Sequence, residues 1–448
     1  MLSVCPSLSY QAGAGRAAVD LAPGTSEDGA RMLHLALALT VASLAAQPEL
    51  ANLPHPDPAV VGVEAATQAY LDTVPPEKRA RSDAYFEGGY WLMLWRFLWS
   101  SLAMLVLLHF GLSARLRDAA ARITARPLLQ PAIYWVGFTL FAFLFALPLS
   151  VYADFIREHQ YALSTQTLGA WFADTLKTLG LELVLGAIGV SVFYAALRRT
   201  GARWWLWGTG IAVAFLAFTI AIAPVYIAPL FNTFQPLKDP AIREPILTVA
   251  RANGIQANEV WEMDASRQTT RTSANVSGMF GTERITLNDN LLRRASRGAV
   301  LAVMGHEMAH YVLNHGYEML LSFGLVIAFG FAVTARGFPA LAARYGGRWR
   351  ARAVDDPAGL PLIVLIFGAY FFLMTPVTNS IIRSNEYEAD VFGLHAAKEP
   401  EGFVEATLLL AEYRKLHPGR LEEILFYDHP SGYTRIYTAM RWKAEQRR

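Results

Sequence analysis

Six apolar stretches constrain this chain more than any other feature. Tyr90 to Leu112, Leu128 to Tyr152, Leu179 to Leu197, Trp204 to Phe231, Tyr317 to Ala335 and Leu360 to Ile382 each have the length, roughly 20 residues, that a helix needs to cross a bilayer. A composition of 54% hydrophobic and 17% charged residues is likewise not that of a soluble protein. A shorter run, Leu33 to Ala46, follows Arg31-Met32 and reads as a signal peptide or a first membrane helix, with Met32 as an alternative start. Counting it, the chain has about seven spans.

Two polar blocks interrupt this pattern. The first, residues 232–316, lies between the fourth and fifth of the six stretches, and the second, residues 383–448, follows the sixth. The first block predicts a helix over Pro240 to Asn253 and short alternating runs at Val260 to Asp264, Thr272 to Gly278 and Arg284 to Leu287. These imply a small antiparallel sheet beside a further helix. The second block is helical, broken at Pro400 and Pro418-Gly419. The division expected is a leader (1–31), a signal peptide or first membrane helix (32–50), an extramembrane segment (51–89), a four-span bundle (90–231), a catalytic domain (232–316), two spans (317–382) and a C-terminal catalytic segment (383–448).

Each block carries half of a metal site. His306-Glu307-Met308-Ala309-His310 puts two imidazoles on one helix face, where both reach one ion, with Glu307 beside the open coordination position. Glu386-Tyr387-Glu388-Ala389-Asp390 repeats the four-residue spacing with carboxylates. A zinc hydrolase needs three protein ligands and an open position for water, whose pKa the ion lowers to about 7. With Cys5 as the lone cysteine, no thiolate site can be built, so the ligands are His and carboxylate. His306, His310 and Glu386 are assigned as ligands of one Zn2+ per chain, Asp390 as the support of a ligand imidazole, and Glu307 as general base. His315 lies off the ligand face and reads as a helix-end or supporting residue.

A net charge of +2, without a clustered basic face, excludes nucleic acid as a partner and leaves the lipid bilayer and a peptide or membrane-protein substrate. Short-loop charge orients the chain. Arg115, Arg117, Arg122 and Arg126, then Arg198, Arg199 and Arg203, then Arg336, Arg344, Arg348, Arg350 and Arg352 follow the first, third and fifth stretches, whereas the short loop on the other face has only Arg157 and Lys177. By the positive-inside rule the arginine-rich loops are cytoplasmic and both polar blocks face outward. In a bacterial inner membrane that side is the periplasm.

Several segments carry a family resemblance: HEMAHYVLNH (306–315), RSNEYEAD (383–390), APLFNTFQPL (228–237), FIREHQYALSTQTLGAWFADTLK (155–177) and RITLNDNLL (284–292). Together they resemble the type-1 CAAX prenyl endopeptidases, multi-pass membrane zinc metalloproteases, over about residues 83–435. The resemblance implies a mainly α fold, a seven-helix membrane bundle around a water-filled chamber, joined to a zincin-like metalloprotease domain. It also implies His306, His310 and Glu386 as zinc ligands and Glu307 as catalytic base. His429 and Arg435, in HPSGYTR, match positions that contact the substrate carbonyl region, with His429 placed to stabilise an oxyanion. The family's Asn-Ala-Tyr on the strand that pairs with substrate is Ser273-Ala274-Asn275 here, which preserves backbone pairing but changes side-chain selection.

Three other readings bear on the same residues. A membrane or exported-protein quality-control protease would use the same site without prenyl specificity. The intramembrane site-two type of metalloprotease shares HExxH but adds an Asn-Pro-Asp-Gly loop that this chain lacks. A transporter or receptor with a vestigial metal site is opposed by nearly uncharged spans and by the lack of internal repeats.

Overall fold

The computed structural model describes residues 53–277 and 284–446. The expected leader (1–31), signal peptide or first span (32–50) and Gly278 at the end of a predicted strand lie outside the described residues. Most of the described chain is helical.

All six apolar stretches fall on long helices: α1 (Pro76–His109), α2 (Leu129–Ser150), α3 (Leu168–Thr200), α4 (Trp204–Ile222), α7 (His315–Trp349) and α8 (Leu360–Ala397). Among the described residues, five helical stretches are long and apolar enough to cross a membrane. One of them, Leu168–Leu230, has 63 residues. At 1.5 Å per residue it would reach roughly 95 Å, about three bilayer cores, so it cannot be a single crossing. It turns back at Gly201, whose φ of 52° is a left-handed value open to glycine, and α3 and α4 pack together as a hairpin.

The helices outrun the apolar segments that predicted them. Helix α1 begins 14 residues before Tyr90, and α8 runs past the last apolar residues to carry Glu386 and Asp390. Proline explains where they start and stop: Pro76 is accommodated in the first turn of α1, and α8 ends before Pro400, with Lys398 at φ 56° closing it. In the bundle core, Tyr134, Phe138, Tyr194, Trp204, Phe331 and Phe367 pack between α2, α3, α4, α7 and α8.

The extramembrane part is built around a four-stranded sheet: β1 (Phe234–Pro236), β2 (Val260–Met263), β3 (Ala274–Ser277) and β4 (Arg284–Asn288), in the order β1-β2-β4-β3. The antiparallel sheet expected from the sequence is in fact mixed. β2 runs parallel to β4, while β1–β2 and β3–β4 are antiparallel. The chain places β3 on the outside by returning through β4 into the centre, which forces the parallel register between β2 and β4. One sheet face buries Val260, Ile285 and Leu287 against α5 (Pro240–Ala252) and α6 (Arg297–Val312), through Ile246, Leu247, Met304 and Met308. That packing fixes the metal helix on the sheet. A second core joins α9 (Pro400–Leu409) and α10 (Gly432–Glu445) to the Val63–Leu71 helix through Tyr70, Phe403, Val404, Ile436 and Met440.

Candidate metal centre

Helix α6 starts at Ser296, whose side chain accepts a hydrogen bond from the Ala299 amide, a standard helix cap. Three turns later it presents His306 and His310. Helix α8 arrives from the membrane and crosses α6 where both carry glycine. A β-carbon on Gly305 would lie 2.9 Å from the Gly393 carbonyl oxygen, and one on Gly393 would lie 2.8 Å from the His306 nitrogen. Only two side-chain-free positions allow this approach, and it brings the carboxylates of α8 up to the imidazoles.

Nε2 of His306 and Nε2 of His310 are 3.3 Å apart. Glu386 places Oε2 3.3 Å from the first and Oε1 3.5 Å from the second. Ligand atoms held 2.0–2.1 Å from a tetrahedral ion stand roughly 3.3–3.4 Å from one another, so these residues fit zinc in both chemistry and spacing. The two halves that lay far apart in the sequence therefore meet around one point.

The surroundings hold this set in place. Asp390 is 2.8 Å from Nδ1 of His306, the atom opposite the one aimed at the centre. Arg435, on α10, bridges two carboxylates, with Nε 3.0 Å from Asp390 and a terminal nitrogen 3.3 Å from Glu386. His429 directs Nε2 to the same Glu386 oxygen at 3.2 Å, while Asp428 holds its Nδ1 at 2.8 Å. The sequence singled out His429 and Arg435 for a substrate carbonyl; both touch the Glu386 carboxylate.

Electrostatics follow from this crowding. Burial opposes charge on His306, but the Asp390 and Glu386 carboxylates outweigh it and raise its pKa to about 10. Burial, reinforced by His306, holds His310 down at about 3, a neutral imidazole with a lone pair to give. Burial pushes Glu307 up to about 7. Asp428 is held down at about 2 by His429, against the cost of its burial. The other influences on Glu307 are the charges of His306, Glu386 and Arg435, and no hydrogen bond contributes, so its carboxylate is not committed elsewhere.

The strand expected to pair with substrate lies at the sheet edge. β3 holds Ala274 and Asn275 and packs beside α6, with its other side unpaired among the described residues. Ser273 precedes the strand, and its carbonyl accepts from the Asn288 amide at 2.9 Å. Beside α8 an open cavity of about 590 Å3 is lined by the apolar Pro376, Val377, Ile381 and Ile424 together with Glu318, Ser322, Ser380, Ser384 and Asn385. The Asn385 side chain is buried, and its Nδ2 has no hydrogen-bond partner.

Sequence reasoning missed the glycine pair and Asp428. Gly305 directly precedes the HExxH pentad and Gly393 follows Asp390 by three residues, on the side of each helix that faces the other. A small residue so close to each motif was the available signal.

Comparison with known proteins agrees with this geometry. Residues 63–233 match the CAAX prenyl protease N-terminal family, described as five membrane helices, and residues 236–443 match peptidase family M48. The chain is 31% identical to the uncharacterized metalloprotease YhfN of Bacillus subtilis, over 75% of this chain and 79% of that protein. It is 26% identical to CAAX prenyl protease 1 of Saccharomyces cerevisiae, over 67% of this chain and 70% of that one. The crystal structure of S. mikatae Ste24p shares the fold, with a TM-score of 0.69 at 20% identity, covering 84% of this chain and 95% of that one. The chain belongs to peptidase family M48, the family of the CAAX prenyl proteases, and is an integral membrane metalloprotease.

Proposed function

We propose that this chain is a zinc endopeptidase in which His306, His310 and Glu386 hold the ion, Glu307 is the general base and the substrate backbone adds to the free edge of β3. The observation that carries this reading is the convergence of the two imidazoles and the carboxylate across two helices: the Nε2 atoms of His306 and His310 are 3.3 Å apart, each has a Glu386 oxygen within 3.5 Å, and one ligand atom from each residue lies within 4.8 Å of the others. Zinc bound by such a set supplies Lewis acidity, which acidifies water and polarises a peptide carbonyl.

The chain's own residues do the rest. Glu307 takes the proton of the attacking water and passes it to the leaving amine, and a carboxyl raised to about 7 can do both near neutral pH. Asp390, its carboxylate 2.8 Å from Nδ1 of His306, favours the hydrogen on Nδ1 and so keeps Nε2 turned to the centre. Arg435 and His429, close to the Glu386 carboxylate, sit beside the place where a peptide carbonyl oxygen gains charge, and each can stabilise it. Main-chain groups of β3 bind any extended peptide, and the side chains of Ser273, Ala274 and Asn275 select among them.

The substrate class proposed is peptide segments of membrane or exported proteins, cut on the outer face of a bacterial inner membrane by a bundle of seven spans. Orientation is supported by the meeting of the arginine-rich loops at one end of the bundle, where Arg117 pairs with Asp356 at 2.7 Å and Arg350 lies 3.5 Å from Asp118. An Arg96–Asp154 ion pair between α1 and the segment after α2, inside the spanning region, supports an aqueous chamber. CAAX prenyl protease 1 relatives favour a second reading, in which prenylated peptides are cut.

The test is zinc analysis of purified protein together with cleavage of paired fluorogenic peptides, one prenylated and one not. One zinc per chain and chelator-sensitive cleavage of both peptides support the proposal. Cleavage confined to the prenylated peptide favours the second reading, and metal-free protein that cleaves as well as the native sample defeats the zinc mechanism.

A further inference from the structure

A further imidazole stands behind the ligand set. His315 opens α7, is 1% exposed, and places Nδ1 2.9 Å from Nδ1 of His310. Their rings meet nearly edge to face, 5.1 Å apart at 68°. On one continuous helix, residues five apart point about 140° away from each other, and such a contact cannot form. The chain makes it by breaking the helix. α6 ends at Val312, Asn314 adopts a left-handed φ of 60°, and α7 restarts at His315 with its ring turned back. Asparagine enters that conformation more readily than most residues with a β-carbon. On the far side, Nε2 of His315 lies 3.6 Å from the Glu388 carboxylate of α8 and has no hydrogen-bond partner.

The protons of this array follow from bonding alone. An imidazole that gives Nε2 to a metal carries its hydrogen on Nδ1. Nδ1 of His310 therefore donates, and the atom facing it, Nδ1 of His315, must accept. The hydrogen of His315 is then on Nε2, the atom turned toward Glu388. Asp390 does for His306 in one step what this arrangement does for His310 in two.

We propose that His315 and Glu388 form a relay that positions His310: Glu388 sets the tautomer of His315, and His315 sets the tautomer and ring plane of His310 for metal binding. This rests on the reading of His310 as a ligand. Neither residue is placed in contact with the substrate or the reacting atoms.

Zinc affinity, measured on the detergent-solubilised full chain by competition with a chromophoric chelator, tests the relay. His315→Leu, which removes the acceptor, is expected to weaken zinc binding about 10- to 100-fold, the usual loss when a group supporting a ligand is removed. His315→Asn, whose side-chain oxygen can take the place of Nδ1, is expected to recover all but a few-fold of that loss. Glu388→Gln, on an exposed side chain, is expected to weaken binding severalfold and to change the visible spectrum of cobalt-substituted protein. The metal-free melting temperature reports whether each variant is folded. Folded His315→Leu with wild-type zinc affinity overturns the proposal; if that variant does not fold, unchanged affinity and cobalt spectrum in Glu388→Gln overturn it. Wild-type protein that binds no zinc defeats the metal reading itself, an outcome distinct from failure of the variants alone.

Discussion

Gly393 of α8 lies against the backbone of His306 in α6, so close that a β-carbon there would stand 2.8 Å from the His306 nitrogen. The metal centre depends on that contact, because the carboxylate of Glu386 is carried two helical turns away on the same rigid rod. Gly393→Ala is expected to push the helices apart, costing about 1–3 kcal/mol and lowering zinc occupancy. Gly368, on the same helix, has open space around it, and Gly368→Ala is expected to leave both unchanged. Thermal unfolding and zinc content of the two variants check this; equal behaviour would remove the close approach as a requirement.

Asp390 and Arg435 form a buried pair, 3.0 Å apart, with Asp390 also on His306. Breaking one partner of such a pair strands a buried charge, at roughly 3–5 kcal/mol. Arg435→Met and Asp390→Asn are both expected to lower the melting temperature, and the double variant less than their sum. Strictly additive losses would show that the pair is not coupled.

Glu307→Gln is expected to reduce kcat about 100- to 10,000-fold, the range for a lost general base. Since no contact is lost, zinc content and melting temperature should stay as in the wild type. Peptide cleavage at a normal rate by this variant would rule the base out.

Removing the metal should destabilise the protein by about 4 kcal/mol relative to a sample holding free zinc at a thousand times its dissociation constant. The size of that effect depends on pH. In the metal-free centre His306 is raised from 6.5 to about 10, so its proton adds stability fully present below pH 6.5 and lost as pH rises through 10. Zinc displaces that proton, and the gap in melting temperature between loaded and metal-free protein is expected to widen from pH 6 to pH 9. A gap independent of pH would show that no proton is exchanged.

Topology can be checked without enzymology. Cysteines introduced at Lys238, in the first polar block, and at Arg344, exposed at the arginine-rich end of α7, should label from opposite sides of the membrane, with Lys238 outside. The reverse labelling would place the catalytic face in the cytoplasm.

Much of this protein was legible in its residues because the signals are local. Hydropathy located the helices that cross the membrane, and four-residue spacing located both motifs, since each depends only on the geometry of one helix. The sheet was less legible. β1 is three residues long and ends in Pro236, with little strand signal of its own, and it exists through its pairing with β2. The parallel register of β2 and β4 has no local signature either, because it depends on which strand the returning chain leaves at the edge. His315 lies off the ligand face of a continuous helix, and only the turn at Asn314 brings it back to His310.

From the order of residues alone come the membrane, the imidazole pair, the distal carboxylates and hence the class of chemistry. The tertiary structure alone decides that a Glu386 oxygen lies 3.3 Å from a His306 nitrogen. The reason is physical: a motif sets angles within its own helix, whereas the separation between two helices is set by what lies at their crossing, here a pair of glycines with no side chain to keep them apart.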